Sequence, residues 1–523
     1  MSSGSMRYTN SYVLKLGVAV CCLWLLKGLV KAFYNAFNHP LRTVPGPFLA
    51  RIFPQYMMPA VISGQRSQFL LELHKQYGPV VRIGPGEVSV GDFRLYRKIY
   101  GQNASTKEDS FYQASVILGP HDNLVSFRKR NGSLTPDNLI RNKGMHSARR
   151  KMMSQPFSQQ AINENEALIT DMCDRLVQRI VSSSMSSQAG TIDVMPLCKL
   201  FSLEVICKAA FDKDIAGCSG LSAENALTYL QAMEDTPFVL IMSAVFPFLR
   251  SHRRVGQRLP GRVGHSFRQA MLYEHFTRSL FHDFRQKSEI DSIQRFMATP
   301  LLRTEDAYLG RKLTEDEAIE EAMGLAFAGS GTTSSTLIYL FYTLSRPEYR
   351  HVQLKLRQEL HTRGRKLAEI KDLPYLNAVI KETMRLYPTI ISTLPRVLDS
   401  PLQVDDHIVI PAGTTVGMQN YVHHRDPSVY ADPHSFNPER WIVQDSEAAS
   451  DLEKAFTPFS LGPRNCIGQN LARAELLLAT SLVFGRLDLH LSSTTKESDM
   501  EMEDRFAVSP RGRKLLLDVS ELF

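Results

Sequence analysis

Apolar positions change their spacing several times along this chain, and each change predicts an element. Val13 to Val30 is a mostly apolar run, broken only by Lys15 and Lys27 near its ends. A bilayer span needs about 20 such residues, and lysines near the ends can snorkel, so the run reads as a single membrane span. From Gly78 to Val90 the pattern becomes two short strands around Gly84-Pro85-Gly86, the start of a small sheet. Helical spacing governs Ala161 to about Ile180 and Val194 to Phe211. Thr236 to Leu249 is strongly apolar, with two readings open: buried core, or a surface that dips into a membrane.

Thr314-Glu315-Asp316-Glu317 is a capping box, so a long helix should begin there and run to about Ser345, where Arg346-Pro347 stops it. Gly329, Gly331, Thr332 and Thr333 weaken its middle. Such a defect is kept when it serves a site. Leu376 to Leu386 is another helix, ending before Pro388, with Glu382 and Arg385 on one side at i, i+3. Short strands should follow at Leu394–Val397 and within Val404–Val416, and a hairpin around Phe506-Ala507-Val508. Near the C-terminus, Leu471, Ala472, Glu475, Leu478 and Leu482 mark a helix immediately after a loop that contains Cys466. The picture is mainly helical with a small β region.

Charge and cysteine usage narrow the class. The net charge of +8 over 523 residues is modest. Without a long basic run carrying interleaved aromatics, nucleic acid is not the expected partner. A mildly basic surface suits an anionic membrane face and an acidic redox partner. The seven cysteines form no paired metal pattern. Cys173, Cys198, Cys207 and Cys218 read as reduced core thiols, which places the body in a reducing compartment. A cleaved signal peptide competes with a retained anchor for the N-terminal run. No small-x-small cleavage site follows it, and Lys27, Lys31 and Arg42 put its C-terminal side in the cytosol. The sequons at Asn103 and Asn131 would then stay unmodified. His423-His424 lacks a helical i, i+4 partner and makes a poor zinc site, so satisfied loop histidines are expected.

The candidate chemistry lies in Phe459-Ser460-Leu461-Gly462-Pro463-Arg464-Asn465-Cys466-Ile467-Gly468. A cysteine just ahead of a helix N-terminus meets unsatisfied N–H groups and partial positive charge, which favour a thiolate and lower its pKa. Gly462 and Gly468 let backbone approach a flat object, Arg464 can reach an anion at its edge, and Phe459 can cover the sulfur side. A thiolate-ligated haem fits such a loop. The stretch resembles the haem-binding loop of the cytochrome P-450 family, Phe-x-x-Gly-x-Arg-x-Cys-x-Gly, with every fixed position present.

The resemblance extends from the N-terminal run to the final strands. It implies a single large catalytic domain over 51–523, a proline-rich hinge over 35–50 containing Val44-Pro45-Gly46-Pro47, and a membrane anchor over 1–34. It implies haem b with Cys466 as axial ligand, and His146, Arg150, Arg396 and Arg464 as partners of its propionates, His146 standing where the family often has tryptophan. It places Asn103–Gly144 over the haem as part of the substrate wall, with Phe506 reaching the pocket. Ala328-Gly329-Ser330-Gly331-Thr332-Thr333 matches the family's oxygen-handling segment, with Thr332 in that role. Gly331 departs from it, standing where Asp or Glu is usual, so protons would need water or another hydroxyl, Ser330 or Thr333. Glu382, Arg385 and Arg440 would form a buried structural network.

The implied activity is insertion of one atom of O₂ into an apolar small molecule, with electrons from NADPH through a separate cytochrome P-450 reductase and a possible contribution from cytochrome b5. The segment Ala-Gly-Ser-Gly-Thr-Thr with Val-Pro-Gly-Pro-Phe is similar to microsomal fungal enzymes that modify terpenoids, polyketides and related secondary metabolites. The implied location is the endoplasmic reticulum membrane, single-pass, with a cytosolic catalytic domain. Two other readings stand beside it. A haem-thiolate isomerase or reductase would turn over without a reductase partner. A haem-binding sensor would show the haem spectrum without turnover.

Overall fold

The computed structural model describes residues 3–523 except 102–104, 109–110, 113–122, 125–135, 188–189, 216–222, 247, 250–251, 289–295, 362–363, 443–446 and 523. Both sequons, Cys218 and most of Asn103–Gly144 lie outside the described residues. The principal helices are α1 (Ser3–Phe33), α2 (Arg66–Tyr77), α3 (Pro136–Ser154), α4 (Glu166–Ser186), α5 (Met195–Phe211), α6 (Ala223–Val245), α7 (Gly261–Ser288), α8 (Glu315–Ser345), α9 (Arg350–His361), α10 (Pro374–Leu386) and α11 (Gln469–Arg486).

Helix α8 is the axis of the body. Its start is the predicted capping box: Thr314 Oγ1 accepts from the Glu317 N–H at 3.4 Å, and Glu317 Oε2 accepts from the Thr314 N–H at 2.8 Å. Arg311 hydrogen-bonds the same carboxylate and, with the Thr314 bonds, holds Glu317 down to about 2. Beyond that turn α8 is buried on almost every side, the mark of a helix enclosed by others. It packs against α5, α7, α10 and α11. Contact with α5 is tight at Gly329, where a Cβ would lie 2.6 Å from Ile206 Cγ1.

The sheet nearest the N-terminus combines β1 (Val80–Gly84), β2 (Glu87–Val90), β3 (Ser105–Lys107), β5 (Arg396–Leu398) and β8 (Thr415–Gly417) in the order β1-β2-β8-β5-β3. Only β2 and β8 run parallel. A second sheet pairs β4 (Thr191–Asp193) and β9 (Leu487–Leu491) with β12 (Leu516–Glu521) between them. Two hairpins complete the β region: β6 (Leu402–Gln403) with β7 (Val409–Ile410), and β10 (Met502–Arg505) with β11 (Ala507–Pro510).

Several boundaries differ from expectation for local reasons. The helix read from Ala161 is interrupted at Asn165, whose side chain donates to the Ala161 carbonyl at 2.8 Å and caps one turn before α4 begins. Helix α8 is continuous through Gly329–Thr333 rather than distorted there. Thr236–Leu249 divides between the two readings: Val239 and Leu249 pack with Phe267 and Ala270, whereas Phe246 and Phe248 are exposed. The Pro-Gly turn is docked, not free. The Arg82 N–H donates to the Pro45 carbonyl at 2.7 Å, and a Cβ on Gly46 would meet Arg82 O at 2.4 Å. Ahead of it, Val18–Asn38 is long and apolar enough to cross a membrane, and its described side chains are almost all exposed.

Candidate active site

The Cys466 loop is shaped by its own backbone. Ser460 and Gly462 take left-handed φ values of 60° and 73°. The Cys466 N–H donates back to the Phe459 carbonyl at 2.9 Å, and the Asn465 N–H to Gly462 O at 3.1 Å. Gly462 is required from the protein side: a Cβ there would stand 2.4 Å from the Tyr100 carbonyl. Gly468 caps α11, and its N–H bonds the Cys466 sulfur. Cys466 is exposed at the surface of this loop, yet the protein packed around it outweighs that bond and the Arg150 charge and raises the thiol above its ordinary value, the reverse of the lowered value the sequence predicts. A metal ion bound to the sulfur would supply the missing stabilisation, since a coordinating thiol is deprotonated outright. Phe459 is half-buried, with the Arg473 guanidinium 5.5 Å from its ring centre.

A second open surface is one face of α8. From Ala318 to Ser345 every residue is buried or half-buried except Ala328, which is exposed. Gly324, Gly331, Thr332 and Ser335 share its face at helical spacing, and all are half-buried. A Cβ added at Gly324 or Gly331 would meet nothing within 4 Å. Hydroxyls along this stretch turn back on the helix. Thr332 donates to Ala328 O at 2.8 Å and Ser335 to Gly331 O at 2.8 Å, while Ser334 reaches Ser330 O at 3.0 Å and Gly331 O at 3.1 Å. Such back-bonding loosens the helix without breaking it. Phe327 on α8 and Phe506 in the β10–β11 turn stand 6.5 Å apart, and Phe111 lies 6.5 Å from Phe506, so an apolar aromatic wall borders the open face.

Basic side chains gather beside these elements. Arg150 of α3 donates to the Asn465 carbonyl at 2.5 Å and to its Oδ1 at 2.6 Å, tying α3 to the cysteine loop. Arg396 of β5 lies against the rings of Tyr100 and Tyr112, 4.9 and 5.5 Å from their centres. Arg464 is pushed down to about 9 by burial and by Arg396 and Arg150. Burial, then Arg464, Lys107, Arg150 and Arg396, drives His146 down to about 2. The structure therefore brings His146, Arg150, Arg396 and Arg464 together. It adds Lys107, which is buried and held far below the ordinary lysine value by burial, Arg464, Arg396 and Arg150. Lys107 sits directly opposite Arg396 in the β3–β5 register. Like charges in that position are destabilising, so the pairing marks a site that expects an anion. Sequence reasoning missed Lys107 because only the strand register makes it a neighbour of Arg396.

Glu382, Arg385 and Arg440 also meet, away from this cluster. Arg385 holds both carboxylate oxygens of Glu382 at 2.8 and 2.9 Å, and Arg440 Nε donates to Oε1 at 3.1 Å. The Trp441 indole and the Asn437 N–H add bonds at 2.8 and 2.9 Å. His423 ends a short helix, Asn420–His423, and His424 caps it, so they are not the loop histidines expected. Thr457 satisfies one nitrogen of each ring: His423 Nε2 lies 2.9 Å from the Thr457 hydroxyl, and the Thr457 N–H donates to His424 Nε2 at 3.1 Å, while both Nδ1 atoms are buried without a hydrogen-bond partner. Arg149 was also missed. It is buried on α3 and bonds Asp306 at 2.7 Å and Glu321 of α8 at 2.5 Å. Its neighbour Arg150 carried the sequence signal.

The residues fit a thiolate-ligated haem on this geometry: a soft donor at Cys466, an open small-residue face on α8, and a largely enclosed basic cluster in which Arg464, Lys107 and His146 are depressed by their basic neighbours, as two propionates would relieve, while Arg396 is raised by the tyrosines around it. The comparisons agree. A family model described as cytochrome P450 matches residues 45–517. The chain is similar to cytochrome P450 monooxygenase aclL of Aspergillus oryzae, 30% identical over 91% of this chain and 94% of that protein. It is also similar to cytochrome P450 monooxygenase stcB of Emericella nidulans (28% identical, 94% and 90% covered) and aflV of Aspergillus parasiticus (27%, 96% and 96%). The chain belongs to the cytochrome P450 family.

Proposed function

We propose, with membership of the cytochrome P450 family as the premise, that this enzyme is a membrane-anchored monooxygenase of fungal secondary metabolism. It inserts one oxygen atom into a carbon–hydrogen bond of an apolar terpenoid, polyketide or related scaffold. The overall reaction takes one O₂, two electrons and two protons, and releases water beside the oxygenated product. The haem supplies O₂ activation when bound. The chain supplies the rest. Cys466 would ligate the haem iron, and Phe459 with Gly462 and Gly468 shapes the loop around it. His146, Arg150, Arg396 and Arg464 would hold the propionates, with Lys107 beside them. Thr332 orients water on the open face of α8. Phe111, Phe327 and Phe506 give the substrate an apolar wall and exclude bulk water. Glu382, Arg385 and Arg440 hold the haem-side core in place.

Electrons come from NADPH through a separate reductase, with cytochrome b5 as a further donor. Residues 1–34 anchor the chain in the endoplasmic reticulum membrane, 35–50 form the hinge docked on the first sheet, and 51–523 form the cytosolic catalytic domain. The exposed Phe246 and Phe248 are suited to a second contact with the bilayer.

The observation that carries this reading is the convergence of the Cys466 loop, the open α8 face and the basic cluster. Expression with a reductase and NADPH against extracts of a producing fungus should give a product heavier by one oxygen. Cys466→Ser should abolish both that product and the reduced carbon monoxide difference band. Turnover without NADPH and reductase would instead identify an isomerase.

A further inference from the structure

A bulky side chain rarely takes a positive φ, and where one does the surrounding structure has to hold it there. Five described non-glycine residues have such a φ, and Phe506, at 77°, is the aromatic one. It is the single residue between Arg505 and Ala507, which pair with each other in the β10–β11 register. Its ring stands 6.5 Å from both Phe327 and Phe111, so it joins the two other members of the aromatic wall. The same hairpin is tied to the open face of α8, where the Ser335 hydroxyl donates to the Val508 carbonyl at 3.0 Å.

Asp504, two residues before the ring, gathers the bonds that hold this turn. Its Oδ1 accepts from the Ser392 hydroxyl and, at 3.4 Å, from the Phe506 N–H itself. Its Oδ2 accepts from the Ser67 hydroxyl of α2 at 2.7 Å, and its own N–H donates to the Gly64 carbonyl at 2.8 Å. One side chain thus joins three stretches that lie far apart in sequence. Neighbouring bonds close the frame: the Gln68 side chain donates to the Met502 carbonyl at 2.8 Å, and the Val508 N–H to Thr389 O at 2.8 Å. There is no slack ahead of α2, since a Cβ on Gly64 would lie 2.5 Å from Glu503 Cγ. We propose that Asp504 is a positioning residue for the substrate wall: it holds Phe506 in its strained conformation, so that the ring is set in place before an apolar ligand arrives. The proposal rests on the monooxygenase reading and adds to it a residue that governs affinity for bulky ligands. A carboxylate suits the task, because it accepts only and has room for about four donors. A hairpin that served the body alone would carry glycine at its tip and complete the same turn without strain. Phenylalanine is there for what its ring touches, and a wall set in advance spares the ligand the cost of ordering it.

The test compares two azoles, imidazole and 1-phenylimidazole, titrated into the purified holoenzyme and read from the shift of its main absorption band. They share a binding head and differ by one ring, so the ratio of their affinities isolates the wall. Asp504→Ala should weaken 1-phenylimidazole by roughly tenfold relative to imidazole, the worth of one aromatic contact. Phe506→Ala should do the same, and the double variant should lose no more than either, because Asp504 acts through the ring. An Asp504 that only stabilised the body would shift both azoles together. Hydrogen exchange of the haem-free chain is the second readout: D504A should speed exchange at the Phe506 and Val508 amides and leave the Asn437 amide beside Glu382 unchanged. Should D504A not fold, Ser392→Ala and Ser67→Ala remove the donors one at a time, and each must lower the azole ratio by a smaller factor. An unchanged ratio in the folded variants, an additive loss in the double variant, or unchanged exchange at Phe506 overturns the proposal. Absence of the carbon monoxide difference band in the wild type would instead sink the monooxygenase reading, and hydrogen exchange would still report on the hold that Asp504 has on Phe506.

Discussion

Two buried groups of cations in this molecule are handled in opposite ways. Around Glu382 the protein completes its own charge balance: two arginines, an indole and a backbone N–H converge on one carboxylate, and Arg385 also donates to the carbonyls of His424, Pro433 and Ser435. Beside the Cys466 loop, Arg464, Lys107 and His146 are each driven down by burial and by their basic neighbours. The first group is a finished knot that fixes where α10 and the Pro438–Trp441 turn sit. The second is a crowd of basic groups that disfavour one another's charge, the setting in which an anionic ligand would be held. A buried charge thus points to structure or to ligand according to what surrounds it.

The largest test breaks the knot. Glu382→Gln leaves Arg385 and Arg440 with a neutral partner, and removing one member of a buried pair costs about 3–5 kcal/mol. Urea denaturation of the haem-free chain should show that loss. A loss near that of a surface substitution would mean that the carbonyls around Arg385 suffice.

The cradle predicts the opposite sign. Arg464→Met removes a charge that burial, Arg396 and Arg150 all disfavour, so the haem-free chain should gain stability, on the order of 1–3 kcal/mol. The same change should weaken haem retention, measured as the rate of haem transfer to an acceptor protein. If both states lose stability together, Arg464 belongs with the knot and the contrast fails.

How much of this was legible in the sequence follows from range. The capping box of α8, the strands at β1–β2 and β5, and the helix after Cys466 are decided by neighbours within a few residues, and the chain pattern read them closely. Glu382 and Arg385 were readable as a pair because i, i+3 spacing places them together, and the family pattern supplied Arg440. Lys107 and Arg149 were not. Lys107 meets Arg396 only through the β3–β5 register, and Arg149 meets Asp306 and Glu321 across distant chain. Even the Cys466 thiol shows the same limit. Its helix N-terminus is local and favours the thiolate, but the protein packed around this exposed residue is a property of the whole fold and reverses the sign.

The sealed side also makes a pH prediction. Burial holds His423 down to about 3 and His74 down to about 4, so both stay neutral in the folded chain while the unfolded chain protonates near 6.5. Each therefore contributes stability that is complete above that value and is lost as pH falls from 6.5 toward the folded value. His423→Gln, which keeps an amide near the Thr457 hydroxyl, should flatten the acid limb of stability by about 1.4 kcal/mol per pH unit. Denaturation at a series of acidic pH values measures the slope. An unaltered slope would mean that His423 is already charged in the folded state, contrary to its enclosure.

The smallest effect comes from the open face. Glycine inside a helix costs stability relative to alanine, because the unfolded chain gains more freedom from it. At Gly331 the added methyl group meets nothing within 4 Å, so nothing offsets the gain, and Gly331→Ala should stabilise the haem-free chain by about 0.5–1 kcal/mol. Gly329, one turn-step away, should behave in the reverse sense, since its Cβ would lie 2.6 Å from Ile206. The pair therefore separates the two faces of one helix: the side packed on α5 punishes a methyl group, and the open side accepts it. Denaturation of both variants reads the difference directly. If Gly331→Ala also destabilises, that face is packed, and α8 offers no surface on which a flat ligand could lie.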